Sequence, residues 1–145
     1  MIGLLQRVSE AHVTVEDNVV ARIGRGLLVL VAVTREDTEG AVPRLTERIL
    51  GYRVFPDDRN RMNLSLEDLK LDLLLVPQFT LAADTRKGRR ASFTGAAEPE
   101  TGARLFDMMV KLASERLPRV ESGIFGADMQ VALVNDGPVT FWLET

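Results

Sequence analysis

The sequence predicts a single α+β domain over residues 1–145, a mixed and partly barrel-like β-sheet with two main helices. Three observations lead there. Strand-like runs occupy both ends of the chain, and two amphipathic helical stretches lie between them. No repeat, low-complexity tract or Pro/Gly/Ser-rich linker divides the 145 residues, a length that buries a substantial core unaided.

The elements follow in order. Ala11, Val13 and Val15 alternate with His12, Thr14 and Glu16, the period of a half-buried strand. Asp17–Asn18 is the expected hairpin turn, with VVARI returning from it. After Gly24 and Gly26, LLVLVAV has the continuous apolar character of a strand covered on both faces. A helix is predicted over about Glu39–Gly51, with Val42, Leu45, Ile49 and Leu50 on one stripe and Pro43 in its first turn. LDLLLV is a second buried strand and runs straight into PQFTL. Asp84 to Ala97 carries Gly88 and Gly95 and reads as a long loop, of a length that is often functional. Pro99 opens a second helix through about Arg116, with Ala103, Phe106, Met109, Val110 and Ala113 inward and Pro118 ending it. ADMQVALVN and PVTFWLE return to strands, with Phe141 and Trp142 on opposite faces.

Composition narrows the function. The net charge of −3 argues against a general nucleic-acid coat protein but leaves room for a local basic site. Arg86, Lys87, Arg89 and Arg90 form such a cluster, readable as a solvated loop or as a phosphate-contacting surface. The absence of cysteine excludes disulfides and thiolate chemistry and fits a reducing compartment. No apolar run reaches the ~20 residues of a membrane helix, and the N-terminus lacks the features of a secretory signal. A cytoplasmic protein without a membrane partner is expected.

Standard catalytic constellations are missing. A single histidine and no cysteine exclude a His- or Cys-rich metal site, and no EF-hand or phosphate-binding loop occurs. Gly24-Arg25-Gly26 lacks the third glycine and the helix of a dinucleotide fingerprint. Any Ser-His-Asp or Thr-His site would have to use His12, which sits in an alternating strand. No metal and no cofactor are expected. What remains is the backbone, whose N–H groups stabilise an oxyanion and whose carbonyls bind an ammonium. Gly137–Pro138 then has two readings: a plain turn, or a cis peptide presenting its carbonyls as a rigid jaw, with glycine allowing close approach.

QRVSEAHVTV, PQFTLAADTRKGRR and ADMQVALVNDGPVTFWLE, in this order and spacing, resemble the D-aminoacyl-tRNA deacylases of the bacterial and eukaryotic type, over essentially the whole chain. The Gln-x-Thr and Asn-x-Gly-Pro-x-Thr segments are weak markers singly and specific together. The resemblance implies a homodimer with active sites at the subunit interface. It implies hydrolysis of the ester between a D-amino acid, or glycine mischarged on tRNA-Ala, and the terminal adenosine of tRNA. Gly137 and Pro138 take the family's cis Gly-Pro role, inserted into the partner's pocket to hold the substrate's amino group and to reject L-residues. Arg7 takes the role of the arginine that braces this jaw, and Gln78, Phe79 and Thr80 that of the catalytic segment. Phe79 supplies the candidate oxyanion N–H, and Thr80 lines the reacting centre, as a shaping residue or as a covalent nucleophile. Arg86 and Lys87 are expected at acceptor-end phosphates. Pro77 stands where the family usually has serine, removing a hydroxyl and a backbone N–H.

Two other classes fit the same residues. A non-catalytic module binding the aminoacyl-tRNA end would release no free amino acid. A small dimeric scaffold would show no salt-sensitive binding of aminoacyl-tRNA.

Overall fold

The computed structural model describes residues 1–145. β1 (Ile2–Val15) is the hub of the sheet and pairs antiparallel with β2 (Asn18–Ile23), β3 (Gly26–Ala32) and β8 (Gln130–Glu144). β8 follows one edge of β1 through residues 2–14, while β3 takes residues 2–8 and β2 residues 11–15 of the other edge. Register irregularities near Arg7, Glu10 and Thr14 let this long strand bend. Beyond β3 lie β6 (Asp72–Pro77) and β7 (Val120–Ser122), both joined in parallel. The sheet then curls back on itself. Gly24 N–H donates to Asp72 Oδ2 at 3.0 Å, and Arg119 Nη2 to the Arg22 carbonyl at 2.7 Å, tying β2 to the starts of β6 and β7. The result is a nearly closed, barrel-like mixed sheet.

The parallel pairings require crossovers, and the helices supply them. α1 (Ala41–Gly51) lies between β3 and β6, and α3 (Pro99–Ser114) between β6 and β7. Continuous apolar runs are explained by cores on both faces. Leu73 and Leu75 of β6 face the larger core with Leu45, Ile49, Leu105, Phe106 and Met109 of the helices. Leu74 and Val76 face a smaller core inside the curl with Val8, Ala11, Val13 and Ile23. Each fully buried leucine there stabilises the fold by about 2–3 kcal/mol.

Several expectations are corrected. The β1–β2 turn is Glu16–Asp17, one residue earlier than expected, with φ of 48° and 61°. Asn18 instead pairs with Val15, because a two-residue hairpin of this type needs positive φ at both central positions. The α1 stripe is buried as read. In α3, Leu105 and Gly102 are buried while Ala103 and Val110 are half-buried. The helix is rotated because Phe125 packs over Gly102, where a Cβ would meet its Cζ at 3.1 Å. α3 ends at Ser114, and Arg116 and Leu117 N–H groups cap it by donating to the Ala113 carbonyl. The last two strands are one strand, β8, carrying an excursion. Four short elements escaped the sequence: β4 (Phe55–Pro56), β5 (Met62–Leu64), α2 (Leu66–Leu69) and β7. No helix is long and apolar enough to cross a membrane.

Candidate active site

The Gly137–Pro138 segment interrupts the β1–β8 ladder. Gln6 pairs with Thr140 and Val8 with Asn135, so Asp136–Val139 stand against Arg7 alone. Four residues opposite one must leave the sheet, and Gly137 and Pro138 are exposed at the crest with a cis peptide between them. Gly137 has φ 150°, and a Cβ there would lie 2.6 Å from Val139 Cγ2 and 2.8 Å from Val139 N. Only glycine fits this crest without displacing Val139.

Two side chains hold the excursion at its base. Arg7 donates from Nε to the Asp136 carbonyl at 2.8 Å and from Nη1 to the Val54 carbonyl at 2.6 Å. Its side chain is only 13% exposed, so these charge-assisted bonds are partly shielded from water, and the Asp136 carboxylate is a looser partner at 3.7 Å. Asn135 spans the neck. Its Oδ1 accepts from Val139 N–H at 2.7 Å, and its Nδ2 donates to Thr140 Oγ1 at 2.9 Å. Asn135, Thr140 and the Val54 carbonyl are positioning groups that the residue-by-residue reading passed over. Asn135 and Thr140 were nonetheless visible as the polar ends of the Asn-x-Gly-Pro-x-Thr segment.

The Gln-x-Thr segment does not continue β6. Phe79–Ala82 form a 3₁₀ turn, with Gln78 leaving the strand at φ −144°, ψ 74°. The missing N–H of Pro77 is bypassed because Gln78 N–H carries the ladder onward to the Val31 carbonyl at 2.7 Å. As the first residue of the turn, Phe79 has no intrahelical acceptor for its N–H. Thr80 Oγ1 accepts from Gln78 Nε2 at 2.6 Å. Its partner is therefore a donor, the opposite of what would activate a nucleophile. A cavity of about 470 Å³ opens beside the turn, lined by Val76, Pro77, Gln78 and Phe79 and across from them by Phe125 and Met129. Asp128 is the one ionisable side chain of this apolar lining.

The basic loop is fastened to the same turn. Phe93 packs on Phe79 with ring centroids 5.2 Å apart, and Gly95 approaches so closely that a Cβ would lie 2.8 Å from the Ala82 carbonyl oxygen. Arg35 N–H donates to the Gly95 carbonyl and Ala97 N–H to that of Val33, closing the loop onto the chain after β3. Arg86 is engaged within the loop, donating to Asp84 through Nε at 2.9 Å and Nη2 at 2.7 Å. These bonds hold the Asp84 carboxyl well below the usual carboxylate range. Lys87, Arg89 and Arg90 are exposed and form no salt bridge.

The candidate residues thus form two groups. Arg7 pairs with Leu27, which pairs with Leu73 at the start of β6, whereas Pro77 at its end pairs with Val31, the partner of Gly3. That offset is four residues along the strands, and the curl of the sheet brings Val131 of β8 to the same cavity as Phe79. Neither Gly137 nor Pro138 lines the cavity beside the Phe79 turn of its own chain.

The profile of the family described as D-Tyr-tRNA(Tyr) deacylase matches residues 4–144. A protein of Alkalilimnicola ehrlichii called D-aminoacyl-tRNA deacylase is 64% identical over 99% of this chain and 96% of its own length. One of Thioalkalivibrio sulfidiphilus with the same name is 64% identical over 99% of this chain and 97% of its own. Among solved structures, one described as a c-Myc DNA unwinding element binding protein superposes with a TM-score of 0.95 at 34% identity, covering 100% of this chain and 99% of that one.

Proposed function

The chain belongs to the D-Tyr-tRNA(Tyr) deacylase family, and on that premise we propose that it hydrolyses the ester joining a D-amino acid to the terminal adenosine of tRNA. Glycine mischarged on tRNA-Ala is a second substrate. The observation that carries the reading is the equipment of the pocket: a free backbone N–H at Phe79 beside an apolar cavity, with Thr80 bonded to a donor and not to a base. Such a site suits an ester that is already labile. Phe79 N–H meets the oxyanion, a contribution of roughly 3–4 kcal/mol for one such donor. Water attacks the ester carbonyl carbon, the bond to the ribose oxygen breaks, and the adjacent 2′-hydroxyl relays the proton to the leaving oxygen. Thr80 shapes the site.

The second half of the site comes from a partner copy. The exposure of Gly137 and Pro138, and their absence from the lining of their own chain's cavity, support a homodimer in which this segment of one copy enters the pocket of the other. Carbonyls of the crest hold the substrate ammonium, and with the ester anchored at Phe79 an L side chain collides with backbone that cannot rotate away. Glycine has no side chain to collide. Lys87, together with Arg86 when it is released from Asp84, meets acceptor-end phosphates. The deciding experiment is hydrolysis of matched D- and L-aminoacyl-tRNA by the purified protein. Rapid release of D-residues and of glycine, with L-substrate intact, is expected. Tight binding without release would leave a tRNA-end-binding module in place of an enzyme.

A further inference from the structure

The β4–β5 hairpin exposes two arginines, Arg59 and Arg61, that form no salt bridge. Its loop is fixed by Asp57, whose Oδ1 accepts from the Arg59 and Arg61 N–H groups, both at 2.9 Å, and whose Oδ2 accepts from Asn63 Nδ2 at 2.9 Å. Asn60 takes the left-handed conformation at φ 62° and closes the turn through its N–H to the Asp57 carbonyl at 3.0 Å. Asp57 is thereby committed to the backbone. Arg53, Arg59 and Arg61 are exposed and form no salt bridge; the carboxylates of Asp57 and Asp58 lie in the same loop, and Arg53 interacts with Asp68. Arg25 adds a further cation at the base of the hairpin, 5.7 Å from the Phe55 ring centroid. The loop thus holds two unpaired guanidinium groups in a fixed turn.

Its position gives it a use. Arg7 grips the Val54 carbonyl and the Asp136 carbonyl with one guanidinium, so the hairpin root and the Gly-Pro crest move as one body. A cleft that receives the crest therefore also meets the root of the hairpin at Val54. We propose that Arg59 and Arg61 form a second phosphate-binding surface, which grips the tRNA acceptor end held in the partner's pocket. The proposal rests on the deacylase reading above. In it the acceptor end lies between two basic surfaces, the loop after the Phe79 turn from one copy and this hairpin from the other. Arginine is suited to the task because its planar fork binds phosphate oxygens in pairs.

The test is the double variant Arg59→Ala/Arg61→Ala, assayed on D-aminoacyl-tRNA across a salt series and on D-aminoacyl-adenosine, which has no phosphate. On tRNA, KM should rise on the order of tenfold and the log–log salt slope should fall by about 2, one per arginine. The loss should be confined to the phosphate-bearing substrate. An unchanged slope, an equal loss on both substrates, or a double variant that no longer dimerises would overturn the proposal; the last would assign the arginines to contact between copies. In mixed dimers with one pocket filled by Ala127→Trp, the hairpin substitutions should weaken tRNA use only when they sit on the blocked chain. An effect that follows the open pocket would also overturn it. If the unmodified protein hydrolyses nothing, the deacylase reading fails by itself. The salt slope of uncharged-tRNA binding then still decides whether these arginines touch phosphate.

Discussion

In the proposed shared site, Thr80 and Gly137 are expected to matter very differently. Thr80 Oγ1 accepts a hydrogen bond from Gln78 and is exposed, so its hydroxyl is oriented but not activated. Thr80→Ala should therefore slow turnover on the order of tenfold, about 1.4 kcal/mol of barrier. Substrate lacking the ribose 2′-hydroxyl should react far more slowly with the unmodified protein. A folded, dimeric and tRNA-binding Thr80→Ala protein with no turnover, or an acyl-enzyme trapped for mass spectrometry, would establish covalent catalysis instead. Gly137 has no hydroxyl to lose and matters more. A Cβ at 2.6 Å from Val139 Cγ2 and 2.8 Å from Val139 N forces the crest to move. A shift near 1 Å at a positioning element costs on the order of a hundredfold, so Gly137→Ala should lose that much in kcat/KM while retaining its thermal midpoint. A Gly137→Ala protein of normal activity would remove the crest from the mechanism.

At the scale of elements, the hairpin and the excursion are stabilised by side chains bonding to backbone, which makes one of them sensitive to acid. The Arg61 N–H, followed by the Asn63 side chain, holds the Asp57 carboxyl below its ordinary value of 3.8. A lowered folded-state value means the stabilisation is fully present above 3.8 and is lost as pH falls through the depressed value. Amide-exchange protection at Arg59 and Arg61 should therefore hold from neutrality down to about pH 4 and collapse only below it. Loss of protection already near pH 6 would show that the carboxylate does not organise this turn. Asp57→Asn should weaken the same protection at every pH.

What could be read from the sequence at this scale follows from how local the signal is. The unbroken apolar runs of β3 and β6 and the helical stripe of α1 were legible because each signal is local and extends over six or more residues. β4, β5 and β7 have two or three residues and exist only through their partners, so no period could announce them. α2 is as short, yet its Ser65–Asp68 capping box is a readable signature that was passed over. The 3₁₀ turn at Phe79 was hidden because PQFTL carries on the apolar character of the strand before it. The Gly-Pro segment was legible as chemistry but not as geometry. Its four-against-one excursion depends on the register with Arg7, which lies well over a hundred residues away.

At the scale of the whole molecule, the register of β1 with β3 and of β3 with β6 offsets the crest from the Phe79 turn by four residues, and the crest lines no part of its own chain's cavity. In the homodimer proposed above, a two-fold axis completes the site twice, because crest meets pocket and pocket meets crest. Activity per chain should then fall on dilution below the dimer dissociation constant, and an active monomer would rule the arrangement out. Complementation tests the same geometry more sharply. A chain with its pocket filled by Ala127→Trp keeps its crest, and a Gly137→Ala chain keeps its pocket. Each homodimer should be nearly inactive. After equal mixing and subunit exchange, about half the dimers are mixed, and each mixed dimer has one complete site of two, so about a quarter of the wild-type activity should return. Mixed dimers seen by native mass spectrometry without any recovered activity would place crest and pocket in cis and end the shared-site reading.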